Sequence, residues 1–577
     1  MAQSNAIPMA PESFDVPTWQ KVARWCAVIL LSGGLLFLST LMYQSGDVIF
    51  AVGMITLAGV IAFVYLNPNI YVARYLIPGF AFIALFSVFP LVYTIMLSFT
   101  NYSSSNLLNY ERAKSVLMSR TFLEEGSSHP FEIHAADGGQ FRLVIERGNQ
   151  FYASEPVRLS EGQEAGSQRV QMEPINYSEL GTEPAALREV LANRAGLQAL
   201  SAEIDGYSPM SYSGPRAFGT LRSLYVPVEG DSERLVNQRT NMVIEPDFSR
   251  GFFYQVTPQR DDILHDFSIL ADVRDNQAST ENLRVLTQVN RSDLQANFRD
   301  YQAELERGLR EYRVVPGFQV NTGMANYKRI FLEDGMLKPF MKIFTWTVIF
   351  SSFTVFATYL LGLVLACLLN WKLVKGTTLY RVLMILPYAV PAFISIQIFK
   401  GLFNQNFGEI NIILEALFGI KPTWFTDPVL AKVMILITNL WLGYPYMMIL
   451  GLGMLQSISD DLYEAATLEG SGVINNFVKI TLPLVSKPMI PLLISAFAFN
   501  FNNYLLIRLL TNGGPNIIGA NPLAGETDLL ISYAFRLAFG DAQNEYALGA
   551  AIGGLIFLLI AALSMFYIRY AKVDVAR

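Results

Sequence analysis

The sequence has very few of the residues that build covalent or metal cross-links. Only Cys26 and Cys367 occur among its 577 residues, and both lie inside apolar runs. A disulfide framework or a zinc site needs several cysteines at close spacing, so the sequence predicts neither. His129 and His134 have no partner ligands at helical spacing, and we expect them to be surface residues of a hairpin rather than metal ligands.

The sequence also lacks the motifs that energy-coupled or hydrolytic enzymes carry. It contains no G-x-x-x-x-G-K-[ST] loop, which cradles nucleotide phosphates. No paired-carboxylate or nucleophile pattern stands out either. We therefore expect a chain that is not an enzyme and holds no cofactor of its own. Any ATP-driven step would need a partner subunit that binds ATP and Mg²⁺.

Charge is scarce outside one central segment. Residues 101–338 hold 25 of the 42 Lys and Arg residues and 33 of the 48 Asp and Glu residues, and none of the six tryptophans. The whole chain is 52% hydrophobic, too apolar for a soluble protein of this size. The sequence predicts one soluble domain inserted into an α-helical polytopic membrane protein.

The apolar runs are long enough for eight transmembrane helices, since about 20 apolar residues cross a bilayer. They are Ala23–Tyr43, Val48–Leu66, Leu76–Phe99, Phe340–Leu369, Leu379–Phe399, Leu430–Leu455, Leu484–Leu510 and Tyr546–Ile568. A cleaved signal peptide is the alternative for the first run, but no small-residue cleavage site follows it. The predicted domains are a lead at 1–22, helices one to three at 23–99, an outer domain at 100–339, a core of five helices at 340–569 and a tail at 570–577.

Basic residues indicate how the helices are oriented. Lys and Arg cluster in the short segments that share the side of the N-terminus and are sparse in the opposite short segments. By the positive-inside rule, both termini are expected in the cytoplasm of a bacterial inner-membrane protein and residues 101–338 outside.

The outer segment is predicted to be mixed α/β. Phe131–Ala135, Phe141–Glu146 and Phe151–Ser154 are β-prone runs separated by Asp-Gly-Gly and Arg-Gly-Asn turns. Thr182-Glu183-Pro184 is a predicted helix start, followed by an apolar stripe of Leu187, Val190 and Leu191. A second stripe consists of Leu294, Phe298, Tyr301, Leu305, Leu309 and Tyr312.

The segment 459–483 stands between two strongly apolar runs and reads as a short helix, a turn and a second helix. Ser459 offers an N-capping oxygen, Gly470 and Gly472 allow the turn, and Pro483 marks the next span. An ordinary interhelical loop is the alternative for any single residue. The whole pattern resembles the EAA loop of permease subunits of binding-protein-dependent ABC importers. That resemblance implies ATPase coupling through Glu464, Ala465, Ala466, Gly470, Ile480, Leu482 and Pro483.

Two polar interruptions lie within apolar runs. Asn500, Asn502 and Asn503 are amides in the seventh run, and amides in hydrocarbon are costly unless they face protein or water. On a continuous helix Phe499, Asn500 and Asn503 share one face, where a ring and amides suit a neutral polyhydroxyl ligand. Hydrogen bonding between helices is the alternative, and it is preferred for Asn502. In the sixth run, Gly443 and Pro445 predict a broken helix, or else a plain proline kink.

Longer matches make the chain similar to the maltose/maltodextrin permease family of the MalF type. They are FTNYSSSN at 99–106, YRVLMILPYAVPAFISIQIFKGLFNQNFGEIN at 380–411, WLGYPYMMIL at 441–450 and FAFNFNNYLLIRLLTNGGP at 497–515. The resemblance implies a MalG-like second permease, a MalK-like ATPase dimer, a periplasmic maltose-binding protein and no nucleic acid. It implies sugar contacts from Asn439, Leu442, Gly443, Tyr446, Phe499, Asn500 and Asn503. Two departures are Ala496, where relatives commonly carry Ser, and extra outer sequence around 263–312.

Two other classes of function are less favoured. An ion-coupled transporter would place Asp or Glu inside its spans, and these runs contain essentially none. A membrane sensor would carry a cytoplasmic output domain, yet the last predicted span ends nine residues before the C-terminus. An importer permease fits both observations.

Overall fold

The fold is described from a computed structural model that covers residues 18–44, 46, 48–67, 73–159, 166–274, 298–371, 373–520, 522–540 and 544–570. Most of the predicted lead and tail, and part of the extra sequence around 263–312, lie outside these residues. The chain divides into two compact units. One comprises residues 1–97 and 553–577, and the other comprises residues 98–552.

The first unit consists of apolar helices. They are Thr18–Gln44, Val48–Leu66, Ala73–Ile83 continued by a π-helical turn at Ala84–Val88 and by Phe89–Leu97, and the end of Tyr546–Tyr570. The first two helices form a hairpin in which Ser39 Oγ donates a hydrogen bond to Ala51 O at 2.9 Å. Each helix coincides with a predicted span to within a few residues.

In the described residues, six helices are long and apolar enough to cross a membrane, or seven if one bent pair is a single span. Phe50–Leu66 belongs to the shorter apolar helices. The second unit contributes Asp334–Asn370, Pro428–Leu455, the segment Val473–Phe501 and the start of Tyr546–Tyr570 to the six. Its other helices between these spans are Thr377–Ala389, Ala392–Leu402, Glu409–Phe418, Asp460–Leu468, Tyr504–Leu510 and Leu530–Phe539.

The predicted fifth span is not one straight helix. Thr377–Ala389 and Ala392–Leu402 meet at an angle of 90°. Val390 has an extended backbone (φ −99°, ψ 125°), because the ring of the following Pro391 disfavours helical geometry at the residue before it. The expectation of a single helix over 379–399 was wrong, and Pro391 was the available signal.

The outer part of the second unit contains fourteen described strands. They are β1 Thr121–Leu123, β2 His129–Ala136, β3 Gln140–Arg147, β4 Gln150–Ser154, β5 Gln168–Ile175, β6 Leu200–Glu203, β7 Met210–Gly214, β8 Ala217–Gly219, β9 Leu221–Ser223, β10 Tyr225–Val228, β11 Asp231–Asn237, β12 Val243–Asp247, β13 Phe252–Gln255 and β14 Arg313–Val314. Strands β2 to β8 close a barrel, β10 to β14 form a five-stranded sheet, and β1 pairs with β9.

The barrel confirms the predicted hairpins. Strands β2, β3 and β4 pair antiparallel in sequence order, with Ile133 opposite Leu143. Alternate residues point inward, which buries Ile133, Leu143 and Ile145 in one apolar core. The β5–β6 pair is the parallel exception, joined through the helices Leu187–Ala192 and Arg194–Ala199.

Two expectations for this domain were wrong. His134 is buried rather than superficial, and its Nδ1 lies 2.9 Å from Thr182 O while Nε2 lies 3.3 Å from Glu132 Oε2. The helix expected at Thr182 begins only at Leu187, and of its stripe only Val190 is buried. Both results have one cause: Pro184 forms a β-bridge with His134, and Ala185 N donates to Ile133 O at 2.8 Å. Residues 182–185 therefore lie along strand β2, cover the histidine and delay the start of the helix.

A short helix, Tyr110–Met118, packs on the five-stranded sheet, and the helices Pro258–Arg274, Phe298–Arg310 and Ala325–Leu332 complete the domain. Leu309, from the second predicted stripe, is buried against Phe252 and Tyr254. Leu294 of that stripe lies outside the described residues.

The membrane helices Asp334–Asn370 and Pro428–Leu455 pack at close range. A Cβ at Gly362 would lie 2.7 Å from Met447 Cβ, and one at Gly451 would lie 3.1 Å from Ala366 Cβ. Small residues allow such close approach of helix backbones in membranes. This contact fixes the two helices whose middle sections line the cavity described next.

Candidate functional site

A cavity of about 640 Å³ lies among the membrane helices of the second unit. Four helical segments contribute its walls: Asp334–Asn370, the bend after Thr377–Ala389, Pro428–Leu455, and the segment from Leu482 to Leu510. All seven sugar contacts implied by the resemblance line this one cavity: Asn439, Leu442, Gly443, Tyr446, Phe499, Asn500 and Asn503. The structure therefore brings the two predicted groups together.

Three amides form a connected hydrogen-bond group in the cavity wall. Asn439 Nδ2 donates to Asn500 Oδ1 at 2.8 Å, and Asn503 Nδ2 donates to Asn439 Oδ1 at 3.3 Å. Asn439 and Asn500 are 5% and 9% exposed. Asn439 Nδ2 also lies 3.4 Å from Thr354 Oγ1. The amides thus satisfy one another, which is the alternative reading of their role, while lining a space that a ligand could fill.

The rings in the cavity are less buried than the amides. Phe499 is 73% exposed and Tyr446 41% exposed. A large exposed ring beside amide donors and acceptors provides an apolar platform with polar groups at its edge. This arrangement can bind the apolar face of a sugar ring while amides bond its hydroxyls.

Gly443 is required by packing. A Cβ at this position would lie 2.8 Å from Thr358 Cγ2, on the neighbouring helix. Thr358 itself is buried, and its hydroxyl donates to Thr354 O at 2.7 Å, so it has little freedom to move away. The glycine therefore sets the separation of the two helices beside the cavity.

The position of the helix break differs from the prediction. Pro428–Leu455 runs as one helix through Gly443 and Pro445, so a broken sixth span was wrong, and the structure has the alternative, a proline inside a continuous helix. The break occurs in the seventh span, where the helix ends at Phe501 and the next begins at Tyr504. Asn503 caps the second helix, because its Oδ1 accepts from Leu506 N at 3.3 Å.

Phe499, Asn500 and Asn503 were expected to share one face of a continuous helix. That expectation was wrong, because the helix ends before Asn503, although all three residues line the cavity. Asn502, expected on another face, is exposed and does not line the cavity. Its Nδ2 donates to Ala498 O of its own helix at 3.2 Å, so the hydrogen bond between helices expected for it was wrong.

Sequence reasoning missed the wall supplied by the bent helix pair. Pro387, Tyr388, Val390, Pro391, Ala392 and Ile396 line the cavity there. The closely spaced Pro387 and Pro391 were the signal that could have shown a bend. Within the described residues, no group of three or more His, Cys, Asp or Glu side chains could hold a metal ion.

The segment 459–483 forms the predicted helix–turn–helix. Ser459 caps the helix Asp460–Leu468 by accepting from Asp461 N at 3.3 Å, and Gly470 has a left-handed backbone with φ 84°. A second helix, Val473–Asn476, continues through a π-helical turn, Phe477–Thr481, into Leu482–Phe501. Tyr463 and Thr481 hydroxyls, 2.9 Å apart, join the two arms.

This loop exposes four of its seven predicted coupling residues and several apolar side chains. Glu464, Ala465, Gly470 and Pro483 are exposed, whereas Ala466, Ile480 and Leu482 are half-buried. Leu468, Val473 and Ile474 are 90%, 72% and 80% exposed. Exposed apolar side chains of this kind are typical of a surface that contacts another protein or a membrane.

Comparison with known proteins identifies the family. Residues 108–263 match the model of the maltose transport system permease protein MalF P2 domain, and residues 358–573 match that of the binding-protein-dependent transport system inner membrane component. A maltose/maltodextrin transport system permease protein MalF from Vibrio parahaemolyticus is 41% identical over 98% of this chain and 97% of its own length. The chain belongs to the MalF family.

Other members of the MalF family give the same result. The MalF proteins of Yersinia pestis and Escherichia coli K12 are each 41% identical, over 96% of this chain and 96% and 98% of their own lengths. Among solved structures, a bacterial ABC transporter involved in alginate import covers 44% of this chain at 19% identity with a TM-score of 0.38. The two family models and the MalF relatives make this chain a multi-pass inner-membrane permease component with a P2 domain.

Proposed function

We propose that this chain is the permease subunit of an ATP-driven importer that carries maltose or maltodextrin across the inner membrane. The observation that carries the proposal is the single cavity of about 640 Å³ that Phe499 shares with the three connected amides. The names of its relatives support the substrate class. Asn439, Leu442, Gly443, Tyr446, Phe499, Asn500 and Asn503 are the proposed sugar contacts.

A permease of the same family for another oligosaccharide or α-glucoside is the second candidate. Ala496 favours it, because this side chain lines the cavity and offers no hydroxyl to a sugar. An α-glucoside that forms no hydrogen bond at position 496 would bind no more weakly for the absence of a hydroxyl there.

We assign the coupling role to the segment 459–483. Its exposed apolar side chains and its rigid join to the helix Leu482–Phe501 suit a surface on which an ATPase subunit docks. A movement of the docked ATPase subunit would be transmitted to the cavity through the helix Leu482–Phe501, which carries Phe499 and Asn500 near its C-terminal end. Glu464, Ala465, Ala466, Gly470, Ile480, Leu482 and Pro483 are the residues proposed for this contact.

The proposed assembly and topology follow from these roles. The chain pairs with a MalG-like permease and a MalK-like ATPase dimer, which holds ATP and Mg²⁺, and receives sugar from a periplasmic maltose-binding protein. Eight spans place both termini and the coupling loop in the cytoplasm. The outer domain at 100–339 then faces the periplasm between helices three and four, and the permease core occupies 340–569.

Uptake into vesicles tests the proposal. Vesicles that contain the chain with its co-purifying subunits are loaded with ATP, and entry of radiolabelled maltose, maltotriose or a non-glucosidic disaccharide is measured with and without binding protein. We expect entry of the first two only when both ATP and binding protein are present. Entry without ATP, or no entry of any α-glucoside, would contradict the proposal.

A further inference from the structure

A second cavity, of about 190 Å³, borders the five-stranded sheet. It shares no lining residue with the cavity of about 640 Å³ described above, the transport cavity. Its walls are mainly polar and come from Phe252 and Arg313 of neighbouring strands and from ten other residues: Asn101, Tyr102, Ser103, Ser105, Asn106, Asn326, Arg329, Glu545, Ala547 and Leu548. Nothing in the proposed transport cycle uses this polar crevice.

The crevice has a rigid frame. Asn101 Nδ2 donates to Arg250 O at 3.0 Å, and Asn101 Oδ1 accepts from Val320 N at 2.8 Å. Asn106, which is buried, donates to Gly251 O at 2.7 Å. A Cβ at Gly251 would lie 2.3 Å from Asn101 Nδ2, so only glycine allows this approach. These amides are fully engaged with the main chain, and the crevice they frame is preorganised.

The positive charges around the crevice are unequally neutralised. Arg250 pairs with Asp247 at 2.9 Å, and Arg329 Nη1 pairs with Glu545 Oε2 at 2.7 Å. Arg313 differs: no carboxylate in the described parts of the chain forms an ion pair with it, and its buried Nε has no hydrogen-bond partner. Its guanidinium stacks over the Phe252 ring, 4.1 Å from the centroid. The crevice therefore contains a guanidinium that is stacked on a ring and has no carboxylate partner among the described residues.

The crevice lies where apolar helices begin. Arg329 lies a few residues before the candidate span Gly335–Asn370. Ala547 lies in the first turn of another candidate span, Tyr546–Met565. Residues 101–106 follow closely after the helix that ends at Leu97. The candidate span Tyr546–Met565 has 20 residues, the length that crosses the hydrocarbon, so its first turn lies near the lipid headgroups, where the abundant anion is a phosphodiester.

We propose that this crevice binds a phosphate group through Arg313, with a phospholipid headgroup at the membrane surface as its source. The guanidinium fork suits phosphate oxygens, and its stacking on Phe252 holds it in place for a charge-assisted bond. Tyr102 and Ser105, which also line the crevice, supply hydroxyl donors. The bound lipid would tie the base of the outer domain to the membrane, independently of which sugar is carried.

Binding to the delipidated, purified transporter complex tests this site. Three probes are titrated and followed by calorimetry: short-chain dihexanoyl phosphatidylglycerol, the same lipid without phosphate (dihexanoylglycerol), and inorganic phosphate. We expect the phosphate-bearing lipid to bind and the phosphate-free lipid not to bind. Arg313→Gln should weaken binding by roughly tenfold or more, the usual effect of losing one charge-assisted bond. Arg313→Lys should retain part of the affinity, and Arg216→Gln, at an exposed arginine outside the crevice, should retain all of it.

The probes also distinguish the source of the phosphate. Saturable, Arg313-dependent binding of inorganic phosphate with the affinity of the lipid would keep the phosphate site and make free phosphate its source. Equal binding of both lipids, or equal binding by wild type and Arg313→Gln, would overturn the site. Melting temperatures of the variant complexes show whether Arg313→Gln is folded. If it is not, the test is whether the wild-type complex binds the phosphate-bearing lipid more tightly than the phosphate-free lipid.

Discussion

Asn439 and Asn500 are 61 residues apart in sequence, yet Asn439 Nδ2 donates to Asn500 Oδ1 at 2.8 Å. The bond joins the helices Pro428–Leu455 and Leu482–Phe501 at the wall of the transport cavity. Asn439 holds the central position, because Asn503 also donates to it at 3.3 Å. Under the proposed function, a sugar entering the cavity would exchange these amide bonds for bonds to its hydroxyls.

Removing a cavity amide should reduce transport without uncoupling the ATPase. In Asn500→Ala, sugar hydroxyls lose a partner after desolvation, at a cost of about 1–3 kcal/mol. We expect uptake to fall roughly tenfold or more, while ATPase activity stimulated by loaded binding protein persists. Asn439→Ala should also lower the melting temperature, since it strands two partner amides.

Two variants control for structural effects. Asn503→Ser keeps an oxygen for the cap of Tyr504–Leu510, so it should restore stability lost in Asn503→Ala without restoring uptake. Asn502→Ala removes an exposed amide outside the cavity and should transport normally. Normal uptake by Asn500→Ala, or failure of the variants to assemble with their partner subunits, would argue against a sugar site.

The Phe499 ring should matter for its flat face. Because it is 73% exposed, its truncation leaves the helix packing largely intact while removing the stacking platform. Phe499→Ala and Phe499→Leu should both reduce uptake by roughly tenfold, and Phe499→Tyr should retain most of it. Concentration dependence of uptake in vesicles measures this. Full activity of Phe499→Leu would mean that only bulk, not an aromatic face, is needed.

Gly443 and Thr358 should be coupled. Gly443→Ala places a methyl group 2.8 Å from Thr358 Cγ2, and such overpacking costs about 1–3 kcal/mol. Thr358→Ser deletes that Cγ2 atom, so the double variant should recover much of the stability and transport lost in Gly443→Ala. Thermal unfolding of the four complexes gives the coupling energy. Additive losses would show that the two side chains do not compete for this space.

Gly470 should be needed for its backbone geometry. Its φ of 84° disfavours residues with a Cβ, by about 1–2 kcal/mol, and no atom lies within 4 Å of a Cβ placed there. Gly470→Val should therefore abolish ATP-driven uptake while membrane insertion persists, and Gly470→Asn should retain activity because asparagine tolerates this conformation. Glu464→Lys, on the exposed face, should block coupling through charge reversal. Normal transport by Gly470→Val would remove this loop from the coupling mechanism.

The outer domain should recognise the binding protein and not the sugar. Residues 101–338 contain no tryptophan, the ring most often stacked on sugars, and form a barrel and a sheet with apolar cores of their own. We expect this fragment to bind the binding protein in calorimetry and to give no heat with maltose. Saturable maltose binding by the fragment would contradict this assignment.

Local signals in the sequence were sufficient for several features. The apolar runs determined the membrane class, because hydrocarbon accepts only long helices with internally bonded backbones. The hairpins of the barrel followed from alternation and Gly-containing turns, and the cap at Ser459 and the turn at Gly470 followed from short-range backbone chemistry. Each of these depends on residues only a few positions apart.

Only the tertiary structure decided where the helices break and what the breaks serve. Pro445 lies inside a continuous helix, whereas a helix ends at residues 502–503. The sequence around each position does not distinguish the two cases, because packing against neighbouring helices decides whether an interrupted backbone stays helical. Burial of His134 depends on a wall completed by Thr182, 48 residues away. The meeting of Asn439 with Asn500 and Asn503 likewise depends on helix packing between distant segments, which no local pattern encodes.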